Sequence, residues 1–374
     1  MNAYPPPDGV VVGGSLVGLS AAIALSRLGI NVTVLERSPS RAVDGGGGLG
    51  VDVALLQQVT GIDEEPPVVH GIDRDTTAWH LLQGWLEDHA LRRHGVTMHR
   101  GTEVTGAQAG NDRRARVVTA DGGAYEADLV IGADGARSTV RAAVAPDDPA
   151  ARYAGVLLWR ALVDEQALPG DVPRLRSDEP SREVYAGPYR LVIYLVPGRA
   201  GETGVGQRRL NLVWYDPEQG DLLRDLGVLE GETVHGSLAP GAMPAPVRER
   251  LAAFAAANWP SPWREALALA LASGTVFGTP IVHYEPRRLA RGRAALAGDA
   301  AHAASPMVGG GFRQGLYDVA ALAQVMAQVT GSAAVPGALV RYQELRLGQA
   351  VRHVMVSERA TAAYLDHAAG RPGR

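Results

Sequence analysis

The sequence predicts an α/β protein: a parallel-sheet body of dinucleotide-binding (Rossmann-like) type, interrupted by a mostly antiparallel β-sheet and followed by C-terminal helices. Three observations carry that reading. Gly9-Val10-Val11-Val12-Gly13 is a short apolar run closed by glycine, as a buried parallel strand requires. Far downstream, 129–132 and 293–297 repeat the pattern of a short apolar strand that ends at glycine. Between those two, from about Tyr153 to Gly278, the chain changes to segments that resemble strands of an antiparallel sheet.

Taken in order, the strand at 9–13 leads into a tight turn at 14–18. An alanine-rich helix at 19–28 follows, with Gly29 placed to end it. A second strand at 32–36 completes a βαβ unit. Residues 44–50, with four consecutive glycines, are expected to form a flexible loop without regular structure. Residues 76–94 read as a helix, with Trp79, Leu82, Leu86 and Leu91 at near-helical spacing. Short strands are expected at 96–99, 104–108, 115–119 and 124–125, with Asp121-Gly122 as a hairpin turn. In the interrupting part, strands are expected at 156–163, 182–185, 190–196 and 210–215, then helix within 246–272. Residues 340–369 read as a closing helix. The domain reading is 1–152 and 279–330 as the dinucleotide-type body, 153–278 as the sheet domain and 331–374 as a helical segment; segments around 62–95 contribute to the sheet domain.

Composition bounds the chemistry. The chain has 374 residues, 46% apolar and 20% charged, which describes an ordinary globular protein. A net charge of −4 gives no electrostatic reason to expect nucleic acid or an anionic membrane as partner. All 36 basic residues are arginine, so lysine Schiff-base chemistry is excluded. The absence of cysteine excludes disulfides, thiolate metal sites and thiol nucleophiles, and no metal site is expected. No stretch approaches the roughly 20 apolar residues of a membrane span, and Met1 to Asp8 carry three prolines in place of a basic, apolar signal. A cytoplasmic location is the expectation, with a homodimer as the expected assembly.

Gly13-Gly14-Ser15-Leu16-Val17-Gly18 fits G-x-G-x-x-G with Ser15 at the middle glycine. Such a turn needs a sharp bend, close backbone approach to a pyrophosphate and tight helix–strand packing, all of which a small serine permits. Glu36, at the end of the second strand, stands where a ribose hydroxyl pair would be held, and Arg37 beside it can meet adenine or phosphate. Asp134-Gly135 follows the strand at 129–132; that acid can hold a cofactor or cap the next helix. Gly298-Asp299 and then Gly309, Gly310 and Gly311 form a second glycine-rich turn, with Asp299 for a ligand hydroxyl and backbone N–H groups for phosphate or a ring carbonyl. His302, inside this turn, reads as structural or solvent-facing rather than catalytic.

These spaced motifs, the early βαβ with Glu36-Arg37, the element at Asp128 to Gly135 and Gly298-Asp299 with its glycines, resemble the class A flavoprotein aromatic hydroxylases of the p-hydroxybenzoate hydroxylase fold. Within that group the chain is similar to 2,6-dihydroxypyridine 3-hydroxylase-like proteins, a narrower similarity supported by Gly13-Gly14-Ser15, Trp159-Arg160 and the stretch 208–215. The resemblance covers roughly 10–328 and implies FAD as cofactor, NADPH or NADH as electron donor, and O2. The implied reaction is hydroxylation of a small electron-rich aromatic or heteroaromatic substrate through a flavin C4a-hydroperoxide. Epoxidation, Baeyer–Villiger insertion or oxidative decarboxylation of a natural-product intermediate is the alternative reaction, and a non-catalytic dinucleotide-fold binding protein is the alternative class. The implied FAD contacts are Gly13, Ser15, Leu16, Gly18, Glu36, Arg37, Asp134, Asp299, Pro306, Gly309, Gly310, Gly311 and Phe312. The sequence departs from the family pattern at Trp79, where arginine is common, at Arg313, where asparagine is common, and at Met307-Val308 after Pro306.

A hydroxylase of this kind needs a water-excluding pocket and a group that makes the ring electron-rich. His283 and Tyr194 are the catalytic candidates, and Trp214, Tyr215 and Asn211 the substrate-contact candidates. His283 is favoured because its strand returns to the late glycine turn, and because a histidine near its ordinary pKa of about 6.5 suits a base at neutral pH. The glycine loop at 45–50 is expected to approach the flavin and let it move. Arg41, Arg137 and Arg141 are expected near the phosphates of NAD(P)H.

Overall fold

The computed structural model describes residues 6–41, 46–110, 114–176 and 182–371. A six-stranded sheet runs in the order 290–291, 294–296, 129–132, 8–12, 31–36, 96–100. It is parallel throughout except for the hairpin that joins its first two strands. Its two central strands, apart from Asp8 at the start of 8–12, are apolar or glycine and buried on both faces, as a sheet covered by helices demands. Helix Leu16–Ser26 packs on one face with helix Gly311–Met326 beside it. Their closeness explains Gly315: a Cβ there would stand 2.5 Å from Val17 Cγ2.

The second sheet contains the strands Arg182–Ala186, Tyr189–Val196, Arg209–Pro217 and Arg152–Asp164, paired antiparallel in that order, with Phe277–His283 on the far side of Arg152–Asp164. One face is covered by helices Ala245–Asn258 and Trp263–Ser273 around Trp159, Trp214, Trp259 and Trp263. The other face looks toward the parallel sheet. Helix Val335–Ala368 spans both parts, touching the parallel-sheet body at Tyr342 and the antiparallel sheet at Tyr364, whose hydroxyl donates to Tyr215 O at 2.9 Å. Among the described residues no helix is long and apolar enough to cross a membrane.

Three local expectations are corrected. The first helix begins at Leu16 rather than Leu19, because Gly18 lies within its first turn against Gly13 O, where a Cβ would approach to 1.9 Å. Within 44–50, Gly48–Val51 is a strand, paired antiparallel with Asp75–Ala78; Asp44 and Gly45 lie outside the described residues. The helix expected from Thr76 begins at Trp79, because the β-branched pair Thr76-Thr77 belongs to that second strand.

Candidate active site

The two sheets enclose one cavity of about 1800 Å³, well above the roughly 300–1,000 Å³ of an ordinary small-molecule site. It opens at the carboxyl ends of the parallel strands, where Val12, Glu36, Ala133 and Ala297 reach its wall. That is the crevice in which an open α/β sheet receives ligands, because helix N-termini and unpaired backbone donors converge there.

At one end stands the early glycine turn. Gly13 has φ +105°, and a Cβ would lie 2.4 Å from Ala133 O, so the strand ends can close only around glycine. Glu36 grips the turn, its Oε2 accepting from Gly14 N at 2.7 Å and its Oε1 from Ser38 N at 2.8 Å. Arg37 lines the same end. At the other end, Gly298 (φ +62°) sets Asp299 at the head of a short helix, and Gly309 and Gly310 (φ +65° and +84°) lead into helix Gly311–Met326. The Asp299 carboxylate opens on the cavity with no hydrogen-bond partner among the described residues, and burial raises its pKa. Asp134 lies between: its Oδ2 accepts from Thr139 and Val140 N–H at 2.7 and 3.2 Å, while Oδ1 is buried without a partner.

A buried network fixes the late turn from behind. Asp318 Oδ2 accepts from Gly298 N at 2.9 Å and meets His302 Nε2 at 2.6 Å, while its Oδ1 accepts from Arg346 Nε at 2.8 Å. Arg141 is equally committed. Its guanidinium donates to the carbonyls of Asp299, Ala300, Ala136 and Pro149 and lies over the Tyr284 ring. The expectation that Arg141 meets NAD(P)H is therefore corrected. Arg41 and Arg137 do line the cavity, though Arg41 already pairs with Glu87 and Asp88.

The antiparallel sheet supplies the remaining wall: Leu158, Val192, Val213 and Ile281 with Tyr194, Tyr215, Arg160 and Arg190. Burial raises the pKa of both tyrosines, Tyr215 to about 12, so each keeps its proton and can donate. Arg190 is bound in two places by Glu183 (Nε–Oε1 2.7 Å, Nη2–Oε2 3.0 Å) and lies 4.6 Å over the Tyr215 ring.

The sequence-derived candidates separate against this geometry. Gly13, Ser15, Leu16, Glu36, Arg37, Asp134, Asp299, Pro306, Gly309, Gly310, Gly311, Phe312, Tyr194 and Tyr215 all line the cavity. Gly18 does not, because it serves helix–strand packing. Trp214 faces the opposite side of its strand, against Tyr189, Phe254 and Trp259. Asn211 shares the face of Val213 and Tyr215 but is buried under Gly48, whose N–H donates to its Oδ1 at 2.6 Å, and does not reach the cavity. His283 points away toward helix Val335–Ala368, with Nε2 3.4 Å from Ser357 Oγ, and burial lowers its pKa. Arg160 and Arg190 were missed as site residues, although an arginine set within an otherwise apolar strand is a legible signal.

Residues 75–157 and 254–357 match the family described as FAD binding domain, 153–272 match FAD binding domain-like, and 8–44 match pyridine nucleotide-disulphide oxidoreductase. The chain is 30% identical over 371 residues to the 3-amino-4-hydroxybenzoate 2-monooxygenase of Streptomyces cremeus, covering 90% of this chain and 82% of the relative. It is 26% identical to the 2,6-dihydroxypyridine 3-monooxygenase of Paenarthrobacter nicotinovorans, covering 84% and 81%. The fold matches the structure of 2,6-dihydroxypyridine-3-hydroxylase from Arthrobacter nicotinovorans with a TM-score of 0.76 at 22% identity, over 98% of this chain and 94% of that one.

Proposed function

The chain belongs to the FAD binding domain family and is an FAD-dependent monooxygenase of the aromatic hydroxylase type, and from that premise we propose that it hydroxylates a small electron-rich aromatic or heteroaromatic ring. The observation that carries this reading is the single cavity joining three walls: the early glycine turn, the Asp299 turn and the sheet face of Leu158, Val192, Val213 and Ile281. The residues present fit the cofactor. Asp134 has an orphaned buried oxygen, Asp299 an unpartnered carboxylate, and Gly13 leaves no room for a side chain beside the path of the chain. Glu36 would hold the ribose hydroxyls, the early turn the pyrophosphate, Asp299 a ribityl hydroxyl, and the N–H groups at Gly310 to Phe312 the ring carbonyls. When bound and reduced by NAD(P)H, FAD supplies the activation of O2.

The protein's own share is positional. Leu158, Val192, Val213 and Ile281 exclude water from the reacting end. Tyr194 and Tyr215, both protonated, donate to oxygen atoms on the ring. Glu183, the carboxylate on this wall, is committed to Arg190, so the activation is indirect, with His283 uninvolved. Donors and positive charge around the ring oxygen stabilise its anion, the hydroxyl gives its proton to solvent water more readily, and the resulting oxyanion makes the ring electron-rich. The FAD-binding parts 1–152 and 279–330, the ring-binding part 153–278, the closing segment 331–374, a homodimeric assembly and a cytoplasmic location complete the proposal.

The test is substrate-stimulated NAD(P)H oxidation by the yellow, FAD-loaded protein across a panel of phenols, hydroxybenzoates and pyridinols. Stimulation with stoichiometric hydroxylated product is expected. A panel that never stimulates would remove the aromatic-ring reading while leaving the FAD assignment standing.

A further inference from the structure

Among the cationic side chains of the sheet wall, Arg160 differs from its neighbours. Arg190 is neutralised by Glu183, and Arg209 is buried beside His80. Arg160 lines the cavity with no carboxylate in ion-pair distance among the described residues. The hydrogen bond it makes runs from Nη2 to Gly48 O at 2.9 Å, and its Nε is buried without a partner. A guanidinium carries five N–H donors in a fixed plane, so most of this one's capacity is unspent in a setting where an unpaired charge is costly. The residues around it supply no negative charge: Tyr194 and Tyr215 keep their protons, and Phe277 adds only a long cation–π contact, its ring centroid 5.8 Å from Arg160 Cζ.

The glycine run explains how the guanidinium is held. A Cβ on Gly47 would lie 2.3 Å from Arg160 Nη2 and 2.5 Å from its Cζ, so the side chain fills the space that any other residue at 47 would occupy. Gly48 is pinned on both sides of its peptide links, its N–H donating to Asn211 Oδ1 and its carbonyl accepting from Arg160. The glycines at 47 and 48 thus form a seat that fixes the plane of the guanidinium, and the fixed plane loses little entropy when it binds.

Resting on the aromatic-ring reading above, we propose that Arg160 is the specificity-determining residue for an acidic ring hydroxyl, seated by Gly47 and Gly48 and selecting ring oxyanions over neutral ethers. The glycine run at this point serves Arg160 rather than loop freedom alone.

The experiment uses FAD-loaded enzyme and calorimetric titration with 2,6-dihydroxypyridine and 2,6-dimethoxypyridine, which share a ring and differ in the ionisable oxygen. Wild type is expected to prefer the dihydroxy compound by at least about tenfold, as one charge-assisted hydrogen bond allows. Arg160→Met should reduce that preference to under about threefold with FAD still stoichiometric. Gly47→Ala should reproduce the loss by unseating the guanidinium, and the double variant should lose no more than either single one. Equal preference in wild type and Arg160→Met would overturn the role of Arg160 alone. Gly47→Ala with intact preference would overturn the seat. A wild type that binds neither ring while the panel above still stimulates NAD(P)H oxidation would overturn the proposal alone; neither binding nor stimulation would strike at the aromatic-ring reading, and the proposal would fall with it.

Discussion

On the FAD reading proposed above, Asp299 is a carboxylate placed for a ligand rather than for the fold. It has no partner among the described residues and opens on the cavity, where its surroundings disfavour the charge and raise its pKa, so the folded state is weakened as pH rises from about 4 through the raised folded value. Asp299→Asn should therefore leave the FAD-free protein at least as stable at pH 7 as wild type, measured by its urea midpoint. The same variant should bind FAD at least about tenfold more weakly, because a charge-assisted bond to a hydroxyl becomes a neutral one. Loss of both stability and affinity would mean that Asp299 is structural. His302, three residues on, has the opposite role. Burial disfavours its imidazolium, yet Asp318 overcomes this and raises its pKa, while His302 and Arg346 hold the Asp318 carboxyl low against its own burial. A raised histidine stabilises fully below its unfolded pKa of about 6.5 and loses that contribution as pH climbs through the folded value. His353, 6.0 Å from His302 ring to ring, is pushed down to about 4 and stays neutral in that window. Wild type should thus lose stability above pH 6.5 relative to His302→Gln, seen as converging urea midpoints; parallel curves would rule out a charged His302.

At the scale of elements, the early turn depends on an atom that is missing. Gly18 lies in the first turn of helix Leu16–Ser26, and its absent Cβ would be 1.9 Å from Gly13 O. Gly18→Ala should destabilise the protein by about 2–4 kcal/mol through overpacking and abolish FAD retention, read by denaturant unfolding and by colour after gel filtration. Gly29→Ala is the control: it has φ +78° but nothing near its Cβ site, so only backbone strain of about 1 kcal/mol applies. The sequence makes such elements legible where one local rule governs them. The central parallel strands at 8–12, 129–132 and 294–296 show as short apolar runs, Glu36 ends the strand after the first glycine turn, and Asp299 follows Gly298 at the end of another. Elements governed by contacts distant in the chain were not legible. Gly48–Val51 becomes a strand because Asp75–Ala78 and Asn211 satisfy its backbone, and no local pattern announces either partner. His283 was misjudged for a related reason: its strand does approach the cavity, but the last residue turns toward Ser357 on a helix more than seventy positions later. Trp214 and Tyr215 must face opposite sides by strand alternation, and only the helices packed on one side decide which of them reaches the cavity.

At the scale of the whole molecule, the cavity is bounded by segments far apart in the chain, from Gly13 through Asp134 and Tyr194 to Asp299 and Phe312. A ligand spanning it ties the parallel sheet, the antiparallel sheet and helix Gly311–Met326 into one cooperative unit. ADP offers groups only for the early turn and Glu36, and FMN only for the Asp299 end. Stabilisation by mass action follows RT ln(1 + [L]/Kd), which reaches about 2.7 kcal/mol when the ligand stands at 100 times its Kd. At equal concentration FAD should therefore raise the melting temperature more than ADP and FMN added together, since its two halves share one entropic cost of association. Glu36→Gln should remove most of the ADP shift and leave the FMN shift; Asp299→Asn should do the reverse. If ADP alone matched FAD, the late turn would contribute nothing to binding. In that case the orphaned carboxylate of Asp299 would need a different ligand from the ribityl chain assigned to it.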